Sequence, residues 1–355
     1  TEVALGSLSF AEVLLSADLT RENDVLTGSL DGTGQWLGSP FSVSASTFKA
    51  SEAGAAFSGF ELTGGAGEMS GDLTIDSRGL LGGEFSGYFA DLRPLTAALG
   101  FEISGAGRVA ADLAETNGLQ SAAINVETGA VSTSVFDAGA LAGRVTFSDL
   151  SGEPRLRSDV TATGVRAMGR FAETMTATAE GSFEDIYVEL LAPAAGPLSF
   201  ALNAGADITL NDTTLIVLHK LSAQDGLYQM RLNNPARLSI AESEIVLEPV
   251  SLSFADGAID ANFRWDKQAG TFAGALTASE LSTSLLMNDP QSSIPGTLSA
   301  DMSLSGPADA VIIDAEFQGI FPAPVGTGAP PVEVALQATV NDGQTVVSGT
   351  ATGLS

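Results

Sequence analysis

Residues 250–266 read Val-Ser-Leu-Ser-Phe-Ala-Asp-Gly-Ala-Ile-Asp-Ala-Asn-Phe-Arg-Trp-Asp, and this stretch decides the fold class. Apolar and polar residues alternate on both sides of Asp256-Gly257. A period of two residues places alternate side chains on opposite faces of a β-strand, and Asp-Gly between two such runs is typical of a tight hairpin turn. The stretch therefore predicts two antiparallel strands with one apolar face and one polar face.

The same alternation continues along most of the chain, and turn residues separate the runs at intervals of roughly eight to twelve positions. We therefore predict an all-β fold in which the strands follow one another as a long antiparallel meander. The apolar positions that share one side of the pattern between residues 250 and 317 form a candidate lining surface: Val250, Leu252, Phe254, Ile259, Ala261, Phe263, Trp265, Phe272, Leu298, Ala300, Met302, Leu304, Val311, Ile313 and Phe317.

The composition excludes several classes of protein. Acidic residues number 43 against 15 basic ones, and the net charge of −28 repels nucleic acids and anionic membrane surfaces. The absence of cysteine removes disulfides, thiolate metal sites and cysteine nucleophiles, and it suits an oxidising compartment. No apolar run is long enough for a transmembrane helix, and the first residues do not resemble a secretion signal. Strand-like patterns at both ends suggest a piece of a longer chain.

Two segments interrupt the alternation and predict short helices that would plug the sheet, residues 91–99 and 279–287. Each follows strands rich in Gly and Phe and precedes a glycine at the same spacing, which indicates an internal repeat of roughly 190 residues. Clusters of Pro and Gly mark candidate boundaries. We predict a first β-groove unit at 1–190, a second at 191–320, and a linker with the start of a further strand unit at 321–355.

The motifs that could carry chemistry are weak. Residues 105–110 match the dinucleotide pattern G-x-G-x-x-A, but that pattern needs a helix after the glycines, and strand-like alternation follows here. His219 is the sole histidine, which leaves a multi-histidine metal site without ligands. Asp260, Asp301 and Asp314 occupy polar strand positions, as expected of a solvated face. We predict no catalytic residue, no cofactor and no metal site.

The apolar strand positions allow two interpretations. They could fill the dry core of an acidic β-sandwich, as in a structural or adhesive surface protein. They could instead line an open groove, since large side chains are sparse and few helices are available to cover an apolar face. A third hypothesis, a carbohydrate-active enzyme with paired carboxylates, would need a loop that concentrates acids and aromatics, and none stands out.

Two segments resemble the TamB family. Residues 226–259 contain an Asn-Pro-Ala-Arg-Leu strand (234–238) ahead of an apolar strand pair, and residues 270–319 contain Glu280-Leu281 followed by Gly296-Thr297-Leu298-Ser299-Ala300. Residues 84–115 resemble the family more weakly. The related AsmA and YdbH proteins, within the same superfamily of bridge-like lipid transfer proteins, share this style of sequence.

The resemblance implies a long sheet that curls into a trough, the β-taco, with an apolar interior that shelters acyl chains. It implies a non-enzymatic periplasmic segment of an inner-membrane-anchored protein that conducts phospholipid between the inner and outer membranes. A TamA-like outer-membrane barrel protein would be a partner through other parts of the chain. We therefore expect phospholipid acyl chains, and no nucleic acid, on the candidate lining surface.

Overall fold

The all-β fold is confirmed by a computed structural model, in which most described residues belong to antiparallel strands. The structure describes residues 3–5, 8–36, 39–65, 67–96, 100–167, 169–196, 200–226, 228–254, 257–283, 295–323, 330–341 and 344–353.

The strands fall into two units that divide between Phe183 and Glu184, a few residues before the predicted boundary at 190/191. Val332–Asn341 and Gln344–Thr352, in the predicted linker region, are two strands of the second unit. The first unit contains β1 (Val3–Leu5), β2 (Leu8–Glu22), β3 (Val25–Trp36), β4 (Ser39–Ser51), β5 (Gly54–Gly64), β6 (Gly67–Asp76), β7 (Leu81–Phe89), β8 (Ile103–Thr116), β9 (Leu119–Thr133), β10 (Phe136–Ala138), β11 (Ala140–Ser148), β12 (Arg155–Ala167) and β13 (Arg170–Ser182).

The second unit carries every residue of the candidate lining surface. Its strands are β14 (Asp185–Ala192), β15 (Ala201–Leu210), β16 (Thr214–Asp225), β17 (Tyr228–Leu232), β18 (Ala236–Ile240), β19 (Glu244–Phe254), β20 (Gly257–Asp266), β21 (Thr271–Ser282), β22 (Thr297–Pro307), β23 (Ile312–Phe321), β24 (Val332–Asn341) and β25 (Gln344–Thr352).

Each unit is a meander in which strands pair with their sequence neighbours. The hairpin predicted with a turn at Asp256-Gly257 is confirmed, because β19 and β20 pair antiparallel from Phe254 opposite Gly257, and Gly257 is the first residue of β20. The Asn-Pro-Ala-Arg-Leu segment begins β18, and β17 and β18 lie end to end between β16 and β19. Pro235 explains the break between them, because proline lacks the N–H that a strand ladder needs.

Three β-bulges bend the second unit. The extra residues are His219 in β16, one residue near Pro249 in β19, and one near Glu280 in β21. A bulge increases the local twist and bends its strand, which supplies curvature to a sheet. It also reverses the parity of the strand, so that odd positions before the bulge and even positions after it face the same side.

The two predicted plugs have different outcomes. Residues 93–95 form one turn of 3-10 helix with Pro94 at its start, and residues 97–99 lie outside the described residues. The second prediction is wrong at its beginning, because Ser279–Ser282 end β21 and Glu280 adopts a left-handed conformation (φ 53°) at the bulge. The remainder, 284–287, lies outside the described residues.

The turn at 93–95 lies beside a buried apolar cluster of the first unit. The Leu92 N–H donates to the Gly105 carbonyl (N···O 2.9 Å), and Leu92 packs with Phe41, Leu62 and Val131 in a buried cluster. With Phe89, side chains of four strands (β4, β5, β7 and β9) meet at Leu92, and this part of the first unit has a local apolar core.

A buried glutamine fixes one edge of the first unit. Gln120 Nε2 donates to the carbonyl of Leu81 (2.9 Å) and to those of Ala114 and Ser121, and its Oε1 accepts from the Leu81 N–H. One side chain thus joins β7, β8 and β9 where their strands end. Loss of a buried hydrogen-bonding group leaves its partners unsatisfied, which costs more than the bond contributes.

Replacement of this side chain should destabilise the first unit. We expect Gln120→Leu to lower the free energy of unfolding by about 1–3 kcal/mol, because the backbone groups of Leu81 lose their partners. Urea unfolding followed by circular dichroism measures the change. Asn125→Leu is the matched control, since Asn125 lies exposed on the same strand and its loss should change stability by less than about 0.5 kcal/mol. Equal effects would contradict the role of Gln120.

Candidate functional site

The strand registers place the candidate lining residues on one face of the second unit. In antiparallel strands, directly opposed residues share a face. One row of opposed residues crosses β20 to β24 through Ala261, Leu276, Met302, Ala315 and Ala338. A second row, starting in β19, runs through Leu252, Ile259, Ala278, Ala300, Phe317 and Leu336. We call this surface the apolar face.

Further rows complete the apolar face. One contains Leu247, Phe263, Gly274, Leu304, Ile313 and Val340. Toward one edge stand Ile245, Trp265, Phe272 and Gly306, and toward the other stand Phe254, Leu281, Leu298 and Gly319. Val250 lies opposite Ala261, in the row of Met302. Val311 lies just outside the paired strands, because β23 begins one residue later, but its backbone lies beside Gly306.

The apolar face is open. Its described large side chains are half-buried, Leu276 is 36% exposed, and the fully buried members are small, such as Ala278 and Ala300. The chain of 36.0 kDa has an accessible surface of 21077 Å². Two compact domains of half that mass would together expose about 16,000 Å². That excess belongs to the chain as a whole, and the openness of the apolar face rests on the half-buried state of its own side chains.

Large and small residues complement one another across this face. Phe263 lies opposite Gly274, Phe272 opposite Gly306, and Leu298 opposite Gly319. A Cβ at Gly274 would stand 2.9 Å from the Asn262 carbonyl oxygen and 3.5 Å from the Phe263 ring. Glycine therefore lets the aromatic ring lie down on the neighbouring strand, an arrangement that shields glycine backbone in sheets.

An aromatic cluster lies at one edge of the apolar face. The rings of Trp265 and Phe272 stack with centroids 5.6 Å apart, and the Phe263 ring is 5.9 Å from that of Phe272. Lys267, in the β20–β21 turn, holds its Nζ 5.9 Å from the centre of the Trp265 ring. The same Nζ donates to the Ala241 carbonyl oxygen at 2.7 Å.

The opposite face of the same strands is polar and acidic. Asp260, Asp301, Asp314 and Glu316 are exposed, and Asp301 lies directly opposite Glu316. Like charges opposed across two strands repel each other, so this arrangement contributes solubility and not stability. The expectation that these carboxylates solvate an outer face agrees with their positions.

The shifted pKa values belong to turns of the first unit. The Leu80 backbone N–H and the Arg78 guanidinium, 2.7 Å away, hold the pKa of Asp76 below its usual value. The Arg93 side chain does the same to the pKa of Asp91. Both carboxylates accept hydrogen bonds from backbone N–H groups of their own turns. They therefore stabilise local turns, and the apolar face carries neither of them.

The remaining motifs have structural positions. Residues 105–110 lie inside β8, so no helix follows the glycines. His219 is a bulge residue whose Nε2 lies 2.6 Å from Asp207 Oδ2 on an exposed strand surface. Within the part of the chain that the structure describes, no group of three or more acidic or histidine side chains is placed to hold a metal ion. No helix among those residues is long and apolar enough to cross a membrane.

Comparisons with known proteins leave the family open. No match is found among protein-family models, curated proteins or solved structures. The TamB-like character of residues 226–319 therefore remains a prediction based on sequence pattern. What is established is the geometry, an antiparallel sheet with one apolar face that spans six neighbouring strands, β19 to β24.

Some residues of the site were not predicted from the sequence. The apolar face also contains Leu276, Ala278, Leu281 and Leu336. The alternation in β21 is hard to recognise, because small residues occur on both sides of the strand and a bulge reverses the pattern. The bulge near Pro249 also reverses the alternation in β19, so the pattern did not place Leu247 on the same face as Val250. Proline inside a strand pattern is a usable signal for such a bulge.

The openness of the apolar face can be tested with introduced thiols, because the chain contains no cysteine. Leu276→Cys should react with a water-soluble maleimide at a rate within about threefold of that of Thr277→Cys, which lies on the exposed polar face of the same strand. Ala278→Cys is the buried control, since Ala278 is 6% exposed. Its thiol should react more than about tenfold more slowly.

Mass spectrometry of the labelled protein over time gives the three rates. A Leu276→Cys thiol as slow as that of Ala278→Cys would contradict an open face and would indicate a dry core.

Proposed function

We propose that this chain is a segment of a TamB-like periplasmic protein and that its apolar face shelters the acyl chains of phospholipids in transit between two membranes. The observation that carries the proposal is the continuous apolar face on β19 to β24 that remains open to solvent. An exposed apolar surface of this extent is characteristic of a binding surface.

The size of the face suits an acyl chain. Six neighbouring strands extend about 24 Å from the first to the last, and strands of about ten residues are about 33 Å long. Transfer of a sixteen-carbon chain from water to an apolar surface stabilises it by about 0.8 kcal/mol per buried methylene, on the order of 10 kcal/mol in total. The surface along the rows offers apolar contact without directional bonds, so a chain can slide along it.

The acidic opposite face supports a role in an aqueous compartment. It keeps an apolar sheet soluble and disfavours adsorption to anionic membrane surfaces. In this proposal the protein is non-enzymatic, and the periplasm is its location as part of an inner-membrane-anchored chain. A TamA-like outer-membrane barrel protein would engage other parts of the full-length protein and contribute to outer-membrane biogenesis.

The alternative is a structural or adhesive protein with a dry core. The cluster around Leu92 in the first unit is such a core on a local scale. In the second unit the half-buried state of Phe263, Met302 and Phe317 favours the groove. Moreover, the buried apolar residues described in the second unit are all alanines, whereas the centre of a sandwich would bury large side chains.

Photo-crosslinking in Gram-negative cells tests the proposal. A photoreactive residue at Phe263 or Leu252, both on the apolar face, should crosslink to phospholipid. The same residue at Asn262 or Ser253, on the opposite parity of the same strands, should not. Detection of phospholipid on the purified protein gives the readout, and absence of phospholipid at all four positions would favour the dry core.

A charge on the face should block lipid movement. We expect Phe263→Asp to abolish phospholipid transport, because a carboxylate must lose its hydration wherever an acyl chain passes over it. Asn262→Asp introduces the same charge on the opposite face and should leave transport intact. Normal transport by Phe263→Asp, with the protein folded and present at its usual level, would contradict lipid movement along the apolar face.

A further inference from the structure

At one edge of the apolar face, Lys267 and Trp265 can donate further hydrogen bonds beside the aromatic cluster. The turn before β19 (241–243) and the turn after β20 (267–270) meet there, since the Lys267 N–H donates to the Ser243 carbonyl oxygen (2.8 Å) and its Nζ to that of Ala241. Within the described residues no carboxylate forms an ion pair with Lys267. A lysine ammonium can donate three hydrogen bonds, so two remain for another acceptor.

The second donor is the indole N–H of Trp265. Its Nε1 is buried and lacks a hydrogen-bond partner among the described residues. A buried unpaired N–H costs free energy, and native proteins retain few of them without a functional reason. Tryptophan suits the boundary between an apolar surface and a polar one, because its ring is apolar while its N–H requires an acceptor.

Three acidic residues, Glu242, Glu244 and Asp266, lie in or beside the same two turns. Glu244 is paired with Arg264, whose guanidinium lies 2.7 Å from the Glu244 carboxylate. Asp266 Oδ1 accepts the N–H groups of Gln268 and Ala269 and so caps its own turn. Asp266 keeps its negative charge, and Glu242 in the turn before β19 is exposed. Lys267 therefore offers hydrogen-bond donors at this edge and does not make the edge positive overall.

We propose that Trp265 and Lys267 form a subsite for the phosphate group of a phospholipid whose acyl chains lie on the apolar face. The order of groups along the surface matches an amphiphile, because the apolar rows lead to the Trp265 ring and then to the Lys267 ammonium group, 5.9 Å from the ring centre. A phosphate oxygen at this edge would accept from Lys267 and, after a rearrangement that exposes the buried Nε1, from Trp265. This inference rests on the proposed function and adds a fixed point for the head group.

Equilibrium dialysis of the purified full chain, below the micelle concentration, tests the subsite with three probes. Dodecyl phosphate carries both the acyl-like chain and the phosphate, dodecyl maltoside carries the same chain with a neutral head, and inorganic phosphate carries no chain. We expect dodecyl phosphate to bind about tenfold more tightly than dodecyl maltoside, since a hydrogen bond to a charged group is stronger than one between neutral groups. Inorganic phosphate should bind more than about a hundredfold more weakly than dodecyl phosphate.

Variants assign the effect to the two donors. Lys267→Gln should weaken dodecyl phosphate binding about tenfold and leave dodecyl maltoside binding within about twofold, whereas Lys267→Arg should retain most of the affinity. Trp265→Phe keeps an aromatic ring but removes the N–H, and it should cost about fivefold for dodecyl phosphate alone. Lys220→Gln is the matched control, because Lys220 pairs with Glu189 (3.1 Å) away from this edge.

The outcomes separate the two proposals. Equal losses in Lys267→Gln and Lys220→Gln, or equal affinities for the two dodecyl ligands, would overturn the head-group subsite while leaving the acyl-binding face in place. No binding of either dodecyl ligand would overturn the apolar face as a lipid site, and the subsite with it. Tight binding of inorganic phosphate alone would show an anion site unrelated to lipid.

Discussion

Strand register is the constraint on which the rest of this molecule depends. Because side chains alternate with a period of two, a slip of one residue in any strand would move its apolar set to the polar face. The apolar rows of the second unit exist because Phe263 meets Gly274 and Met302 meets Ala315, and every neighbouring pair keeps the same side. The acidic face depends on the same pairings, so solubility and the proposed lipid binding are set together.

Side-chain size is the second determinant of the apolar face. A phenylalanine opposite a glycine covers the backbone of the neighbouring strand without a second large side chain beside it. The alanines opposite Met302 and Phe317 likewise project little above the sheet. A compact sandwich would need large residues from two facing sheets to interdigitate. The sparse aromatic content of the chain, noted from the sequence, therefore has a structural counterpart in rings that lie along one sheet and do not meet a second.

The sequence predicted the fold class, the hairpin between β19 and β20 and the common face of most candidate residues, because alternation is a local property that pairing then preserves. It predicted less where the period breaks. Bulges near Pro249 and Glu280 reverse parity, so Leu247 and Leu281 were not assigned to the face, and the second helical plug was placed on what is the end of a strand. The local core under Leu92 and the contacts of Gln120 join strands far apart in sequence, and no short pattern reveals them.

The bulges also bear on how such a chain can change in length during evolution. Insertion of one residue into a strand would invert a face unless a compensating bulge restores the phase, as happens at residues 248–249 and 279–280. Insertion of a whole hairpin leaves every existing pair in phase and adds two strand widths, about 9.6 Å. The tolerated step in the growth or loss of such a sheet is thus the hairpin, and relatives of this chain should differ by pairs of strands more often than by single ones.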